Sequence, residues 1–176
     1  ASGRLESSIT SVSGKRLIIS YLGQGRTVGL VSLMDRRGAV HDLSAHDSVT
    51  VLALPREPLL GLVRKHPELA EALIVASCRR LRSVFDLLAD NSLLGPRARI
   101  ARLILSLHRV ADPDGRGRPT LGYSQETLAE MLGMSRQRLN MEIKRLERAG
   151  LIEVAYSRIR VVDSAGLQLA ALDAED

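Results

Sequence analysis

With 176 residues, 45% of them hydrophobic, and a mean hydropathy near zero, the chain can bury a core and is neither a disordered tail nor a fibre. No apolar run approaches the roughly 18 residues that cross a bilayer, and Ala1 to Thr10 carries Arg4 and Glu6 where a secretory signal needs an unbroken apolar stretch. No membrane partner is expected. A net charge of +5 points to a polyanionic partner, while the single cysteine, Cys78, cannot form an internal disulfide or alone supply an iron–sulfur cluster or a structural zinc site, which fits a reducing cytoplasm.

The first third reads as strands. Arg4 to Thr10, Lys15 to Leu22, Val40 to Ala45 and Val49 to Leu54 are short, rich in Ile, Val, Leu and Ser, and separated by turn residues such as Ser13-Gly14 and Gly23-Gln24-Gly25. Spacing of this kind predicts a sandwich or barrel. Pro55 and Pro58 interrupt the pattern, and Glu57 to Lys65 is a short helix that stops before Pro67.

From Pro67 to Leu94 neither Gly nor Pro occurs after the opening proline, and Gly95-Pro96 is a strong stop, which predicts a helix of roughly 42 Å at about 1.5 Å per residue. Ile74, Cys78, Leu81, Phe85 and Leu88 recur with spacings of 4, 3, 4 and 3, the a/d pattern of a two-helix seam. A second apolar row, Leu73, Val84 and Leu87, is suited to covering the strands. Two distinct stripes favour a dimer helix over one buried within a single chain. Cys78 then reads as a small buried hydrophobe on the seam.

After Pro96, Arg97 to Val110 is amphipathic, with Ile100, Leu103, Ile104 and Leu107 on one face, and Asp112 to Thr120 is a loop by composition. Ser124 caps a helix over Gln125 to Leu132 whose Leu128, Met131 and Leu132 face inward; Gly133-Met134 breaks it, and Ser135 caps a second helix, Arg136 to Arg148. This is helix, tight turn, helix. Ala129 lets the second helix cross closely, Gly133 tolerates a left-handed backbone, and Leu139, Ile143 and Leu146 anchor the second helix. Gly150 closes it. Leu151 to Val154 and Ile159 to Val162 then alternate as two strands around a tip, Ala155-Tyr156-Ser157-Arg158, completing a winged helix-turn-helix.

The outer face of the second helix carries Arg136, Gln137, Asn140, Met141 and Lys144, with Arg138 beside them, and its first turn is where a recognition helix meets base edges in the major groove. Arg can grip guanine at two atoms, and Gln or Asn can grip adenine. Ser124 and Gln125 at the start of the first helix are further DNA-binding candidates, and Ser157 and Arg158 at the hairpin tip are candidates for phosphate contacts, which position without reading sequence. Between Arg97 and Arg160 thirteen Arg or Lys stand against seven Asp or Glu, so the basic excess lies in this half. With no Trp, one Phe and three Tyr, the chain lacks the stacking platforms of single-strand and RNA binders, which favours duplex DNA.

Ser124 to Ile152, "SQETLAEMLGMSRQRLNMEIKRLERAGLI", resembles the DNA-binding signature of the Crp/Fnr transcription regulators, with Ser135-Arg136 opening the recognition helix. The resemblance extends upstream through "HPELAEAL" and "SYLGQGRTVG", over nearly the whole chain. It implies an α+β fold: a partial antiparallel, jelly-roll-like β-roll over 1–66, a dimerisation helix over 67–95 and a winged helix-turn-helix over 96–176. In the family an opening helix and further roll strands stand in front of the position of Ala1, so the chain is expected to be a fragment. The resemblance also makes Asp112 to Thr120 a candidate contact for RNA polymerase.

The effector pocket departs most from the family. Cyclic-nucleotide-binding members carry Gly-Glu-Leu and later Arg-Ser-Ala, the Glu taking the ribose hydroxyl and the Arg the cyclic phosphate. Here the matching positions are Gly29-Leu30-Val31 and Val40-His41-Asp42. Leu30 cannot accept a hydrogen bond, Val40 cannot neutralise a phosphate, and Asp42 repels one. The dimer-helix positions that reach the adenine in the family hold Val84 and Phe85. A cyclic nucleotide is therefore not the expected ligand. Haem through His41 or His46 stays formally open, although one His on a strand is more often a surface residue.

No Ser-His-Asp set, phosphate loop or metal spacing occurs, and the four His are scattered at 41, 46, 66 and 108, so neither catalysis, a metal nor a cofactor is expected. The reading is a homodimeric, sequence-specific regulator acting on double-stranded DNA. The alternative is a sensor of a small molecule or protein whose winged helix makes protein contacts, against which the basic excess weighs.

Overall fold

The computed structural model describes residues 2–111, 120–156 and 158–172. The chain divides into two compact units, Ala1–Leu87 and Leu88–Asp176, so the division falls inside the long helix and not at either of its ends.

The first unit contains a three-stranded antiparallel sheet in the order β2-β1-β3, formed by β1 (Leu5–Thr10), β2 (Arg16–Leu22) and β3 (Asp42–Ala45). The β1–β2 turn is closed by Ser11 Oγ, which accepts the Lys15 N–H at 3.0 Å, and by Gly14 at φ 82°, a conformation that a side chain disfavours. Leu5 pairs with Leu22 and Thr10 with Arg16, with a bulge between Ser7 and Ser8. The next strand expected from sequence begins later than Val40, because its pairing with β1 starts at Ser8 opposite Asp42.

One further expectation fails in this unit. Val49 to Leu54 is not a strand: Ser2 and Thr50 form a single bridge, and Leu52 is 88% exposed. High β-propensity makes no strand without a neighbour to pair with. Between β2 and β3, a stretch to which the sequence reading assigned no element, α1 (Leu30–Asp35) forms behind Gly29 at φ 78°.

α2 (Arg56–Lys65) follows Pro55 and ends at His66, and Pro67 opens α3 (Pro67–Leu93). None of α3 is buried. The seam residues are exposed as expected for an unpartnered stripe, but Val84 and Leu87 of the second row are exposed as well, and only Leu73 is half-buried. The helical period fixes which residues share a face but not which surface that face meets.

The second unit packs α4 (Pro96–Ala111), α5 (Gln125–Leu132), α6 (Arg136–Arg148) and α7 (Ser164–Ala170) around a small sheet, β4-β6-β5, made of β4 (Thr120–Leu121), β5 (Ile152–Ala155) and β6 (Arg158–Val161). Ile100, Ile104, Leu139, Ile143, Leu146 and Leu167 are all buried in one cluster. β4 and α7 are additions to the sequence reading. Asp163 caps α7, accepting the Gly166 N–H at 2.9 Å.

Candidate nucleic-acid interface

The turn between α5 and α6 is built by local chemistry. Ser124 Oγ accepts the Thr127 N–H at 3.0 Å and Ser135 Oγ accepts the Arg138 N–H at 3.3 Å, so each helix begins on a side-chain cap. Gly133 ends α5 at φ 62°, and the Met134 N–H returns to the Ala129 carbonyl at 3.1 Å. From α4, the Arg99 guanidinium donates to the Leu132 carbonyl at 2.5 Å, closing the same helix end. Burial lowers the pKa of Arg99 and the charge of Asp90 opposes that shift, but a guanidinium stays protonated.

α6 is fixed by its inner face. Leu139, Ile143 and Leu146 are fully buried, which leaves Arg136, Gln137, Arg138, Met141 and Lys144 exposed on the rest of the cylinder. Arg136 and Lys144 take part in no ion pair among the described residues. Asn140 differs from its neighbours, being half-buried with Oδ1 enclosed and without a hydrogen-bond partner among the described residues. Glu142, which carried no assignment in the sequence, is buried on the inner side, where both its oxygens accept from Arg145 Nη1 at 3.0 and 3.3 Å. Arg145 is thereby committed within the helix.

At the wing, Arg158 opens β6 opposite Ala155 and is exposed, and Tyr156 at the turn is 97% exposed. Ser157 lies outside the described residues, as does 112–119, which holds most of the candidate polymerase contact. Arg160 pairs with Glu153 across the two strands. The Glu147 carboxylate accepts the Val154 N–H at 3.2 Å, tying the wing to the end of α6. Ser124 and Gln125 are half-buried at the start of α5.

The remaining predicted residues lie in or beside the first unit. Ile74, Cys78, Leu81, Phe85 and Leu88 form an exposed row along α3. Leu30 lines an apolar cavity of about 530 Å³ between α1, α2 and α3, together with Val31, Met34, Val63, Ala70 and Leu73. Of the positions that match the family's effector pocket, Leu30 and Val31 are the two that do so. Gly29 caps α1, Val40 and Val84 are exposed, Asp42 begins β3, and His41 is half-buried with Nδ1 enclosed and unpartnered among the described residues. Arg80, which drew no attention in the sequence, donates from α3 to the Thr27 carbonyl at 3.1 Å, just ahead of Gly29. No local pattern announces a bond between residues 53 positions apart.

Residues 98–170 match the family model of the Crp-like helix-turn-helix domain, and residues 1–66 match that of the cyclic nucleotide-binding domain. The chain is 30% identical over 171 residues to the cyclic AMP receptor protein of Thermus thermophilus, covering 96% of this chain and 76% of that protein. It is 24% identical over 168 residues to a CRP-like cAMP-activated global transcriptional regulator of Mycobacterium tuberculosis, covering 94% and 75%. In fold it is similar to a transcriptional regulator of the CRP/FNR family from Thermus thermophilus, with a TM-score of 0.82 at 21% identity, covering 99% of this chain and 86% of that one. The c-di-GMP responsive global regulator CLP of Xanthomonas campestris superposes with a TM-score of 0.77 at 21% identity, over 91% and 81%.

Proposed function

Because this chain belongs to the Crp/Fnr family of transcriptional regulators, we propose that it reads duplex DNA as a homodimer and does so without a cyclic nucleotide. The observation that carries the DNA reading is the split of α6: Leu139, Ile143 and Leu146 hold one side in the core, while Arg136, Gln137 and Lys144 stand exposed behind the Ser135 cap. Inserted in a major groove, that first turn brings Arg136 to a guanine edge and Gln137 to an adenine, with Arg138, Asn140 and Met141 bordering the same bases. Lys144, two turns further on, and Arg158 at the wing neutralise phosphate, Ser157 donates to it, and Ser124 with Gln125 positions the start of α5 on the backbone.

Dimerisation is supported by the row Ile74, Cys78, Leu81, Phe85 and Leu88, whose large side chains are exposed on a helix of about 40 Å. The organisation proposed is an effector-type β-roll over 1–66, a dimer helix over 67–95 and the DNA-binding part over 96–176, with 112–120 as the contact for RNA polymerase. The relatives are transcription regulators, so catalysis forms no part of the reading.

Selection of bound sites from a random duplex library should return a two-fold symmetric consensus; a consensus without symmetry, or none, overturns the dimeric reader. Titration calorimetry with cyclic AMP and cyclic GMP should show no saturable heat, since Leu30 and Val40 stand where the ribose and the phosphate need polar partners. Micromolar binding of either nucleotide overturns that half of the proposal.

A further inference from the structure

The tight turn between α5 and α6 meets its hydrogen-bonding demands only partly from its own backbone. The Gly133 N–H serves the Ala129 and Glu130 carbonyls, and the Met134 N–H serves Ala129 at 3.1 Å. The carbonyl of Leu132, a buried residue, is met from outside the motif by Arg99 Nη2 of α4 at 2.5 Å. An enclosed carbonyl left without a donor is costly, and the negative end of a helix favours a cation beside it. Arg99 is itself firmly held. It stands half-buried between Ala98 and Ile100, both 1% exposed, and its backbone N–H is bonded to the Gly95 carbonyl at 3.1 Å. A side chain 33 positions away in sequence thus braces the turn from a packed helix of the same unit.

Leu132 is followed directly by Gly133, Met134 and the Ser135 cap, and then by Arg136 and Gln137 in the first turn of α6. A guanidinium grips two acceptors of a guanine only when it arrives in the plane of the base, so the backbone that launches Arg136 has to be stiff. We propose that Arg99 is a positioning residue for DNA reading: by holding the Leu132 carbonyl it stiffens the turn and fixes the direction in which Arg136 and Gln137 leave the start of α6. The inference rests on the proposal that α6 reads duplex DNA. The role lies in discrimination between sequences and not in neutralising phosphate, which gives it a signature of its own.

The experiment compares the full chain with Arg99→Leu and Arg99→Lys by two readouts: binding to the selected site and to random duplex over a range of salt, and amide hydrogen exchange at the turn in the free protein. Arg99→Leu should bind the selected site about tenfold more weakly, while random duplex stays within about twofold and the slope of affinity against salt is unchanged. In the same variant the Met134 N–H should exchange about tenfold faster, with Leu139 and Ile143 of α6 keeping their rates. Arg99→Lys still donates to the carbonyl, but from one ammonium on a flexible stem, and should lose about threefold in each readout; it decides the question alone if Arg99→Leu does not fold. Undiminished discrimination in the variants overturns the proposal. So does a loss shared equally by selected and random duplex with a salt slope reduced by about 1, which makes Arg99 a phosphate contact. Exchange that rises equally throughout α6 overturns it as well, since Arg99 then only supports the fold. A starting protein that binds its selected site no better than random duplex overturns the underlying DNA reading, and this inference with it, whatever the exchange rates.

Discussion

The two units of the chain bury apolar surface very differently. Among the described residues of 1–87, Ile18 and Leu59 are the buried hydrophobic side chains, whereas the second unit closes around Ile100, Ile104, Leu139, Ile143, Leu146, Leu167 and others of one cluster. The first unit instead leaves Val51, Leu52, Ile74, Leu81 and Phe85 open. A helix-turn-helix with a wing completes its own core, while α3 and the strands of the first unit present apolar faces that their own unit leaves uncovered. The region proposed to recognise DNA is thus self-supporting, and the region proposed to govern assembly is not.

The sharpest way to break this contrast is at the middle of the α3 stripe. In the proposed dimer, Leu81→Asp places two carboxylates against each other across a two-fold axis, a cost of about 3–5 kcal/mol by analogy with an uncompensated buried charge. Light scattering should find dimer for the unaltered chain and monomer for Leu81→Asp, and a well-folded Leu81→Asp dimer would move the interface elsewhere. In the second unit, Leu139→Ala removes a fully buried side chain and should lower unfolding free energy by about 2–5 kcal/mol in urea titration, without changing the oligomeric state of the folded fraction. A loss below about 1 kcal/mol would mean that the cluster is more plastic than its burial implies.

Smaller again is Arg136→Ala, which should leave both stability and assembly alone yet weaken the selected site by about 1–3 kcal/mol and random duplex far less. Lys144→Ala should weaken all duplexes alike and reduce the slope of affinity against salt by about 1. Equal losses on specific and random DNA would make Arg136 a phosphate contact. The least effect is expected at Asp47 in the first unit. The Arg4 backbone N–H at 2.7 Å, and then its guanidinium, hold this carboxyl below its ordinary value against a smaller opposing desolvation. Its contribution is present above the ordinary carboxylate pKa of about 4 and disappears as pH falls through the lower folded value. Thermal midpoints of the unaltered chain and Asp47→Asn should accordingly differ slightly at neutral pH and converge in acid; a gap that widens in acid would reverse the assignment.

What could be read from sequence divides along the same line. The limits of α5 and α6 follow from Ser124, Gly133 and Ser135, whose capping and left-handed geometries are decided within a single helical turn, and the structure places both helices where those residues put them. The strand expected over Val49 to Leu54 is missing because strand formation needs a partner far along the chain, and among the described residues Ser2 alone meets Thr50. α1 is six residues long behind a left-handed glycine, too short for a helical period to declare itself. Val84 and Leu87 had the right spacing for a covered face and found no cover in their unit. Arg102 reaches Asp90 and Ala171, 12 and 69 positions away, and no motif encodes such a meeting. Among the proposed reading residues, the exposure of Arg136, Gln137 and Lys144 is a consequence of period alone, whereas the half-burial of Asn140 depends on how its neighbours pack.

The exposed thiol of Cys78 has a practical side. It is the only cysteine in the chain and lies on α3 in the row proposed to face a second copy. A bulky group attached there would stand in the proposed seam itself, with no other thiol to compete for it. Alkylation of Cys78 should therefore shift the chain toward monomer, and a thiol that reacts without altering the oligomeric state would place the seam elsewhere.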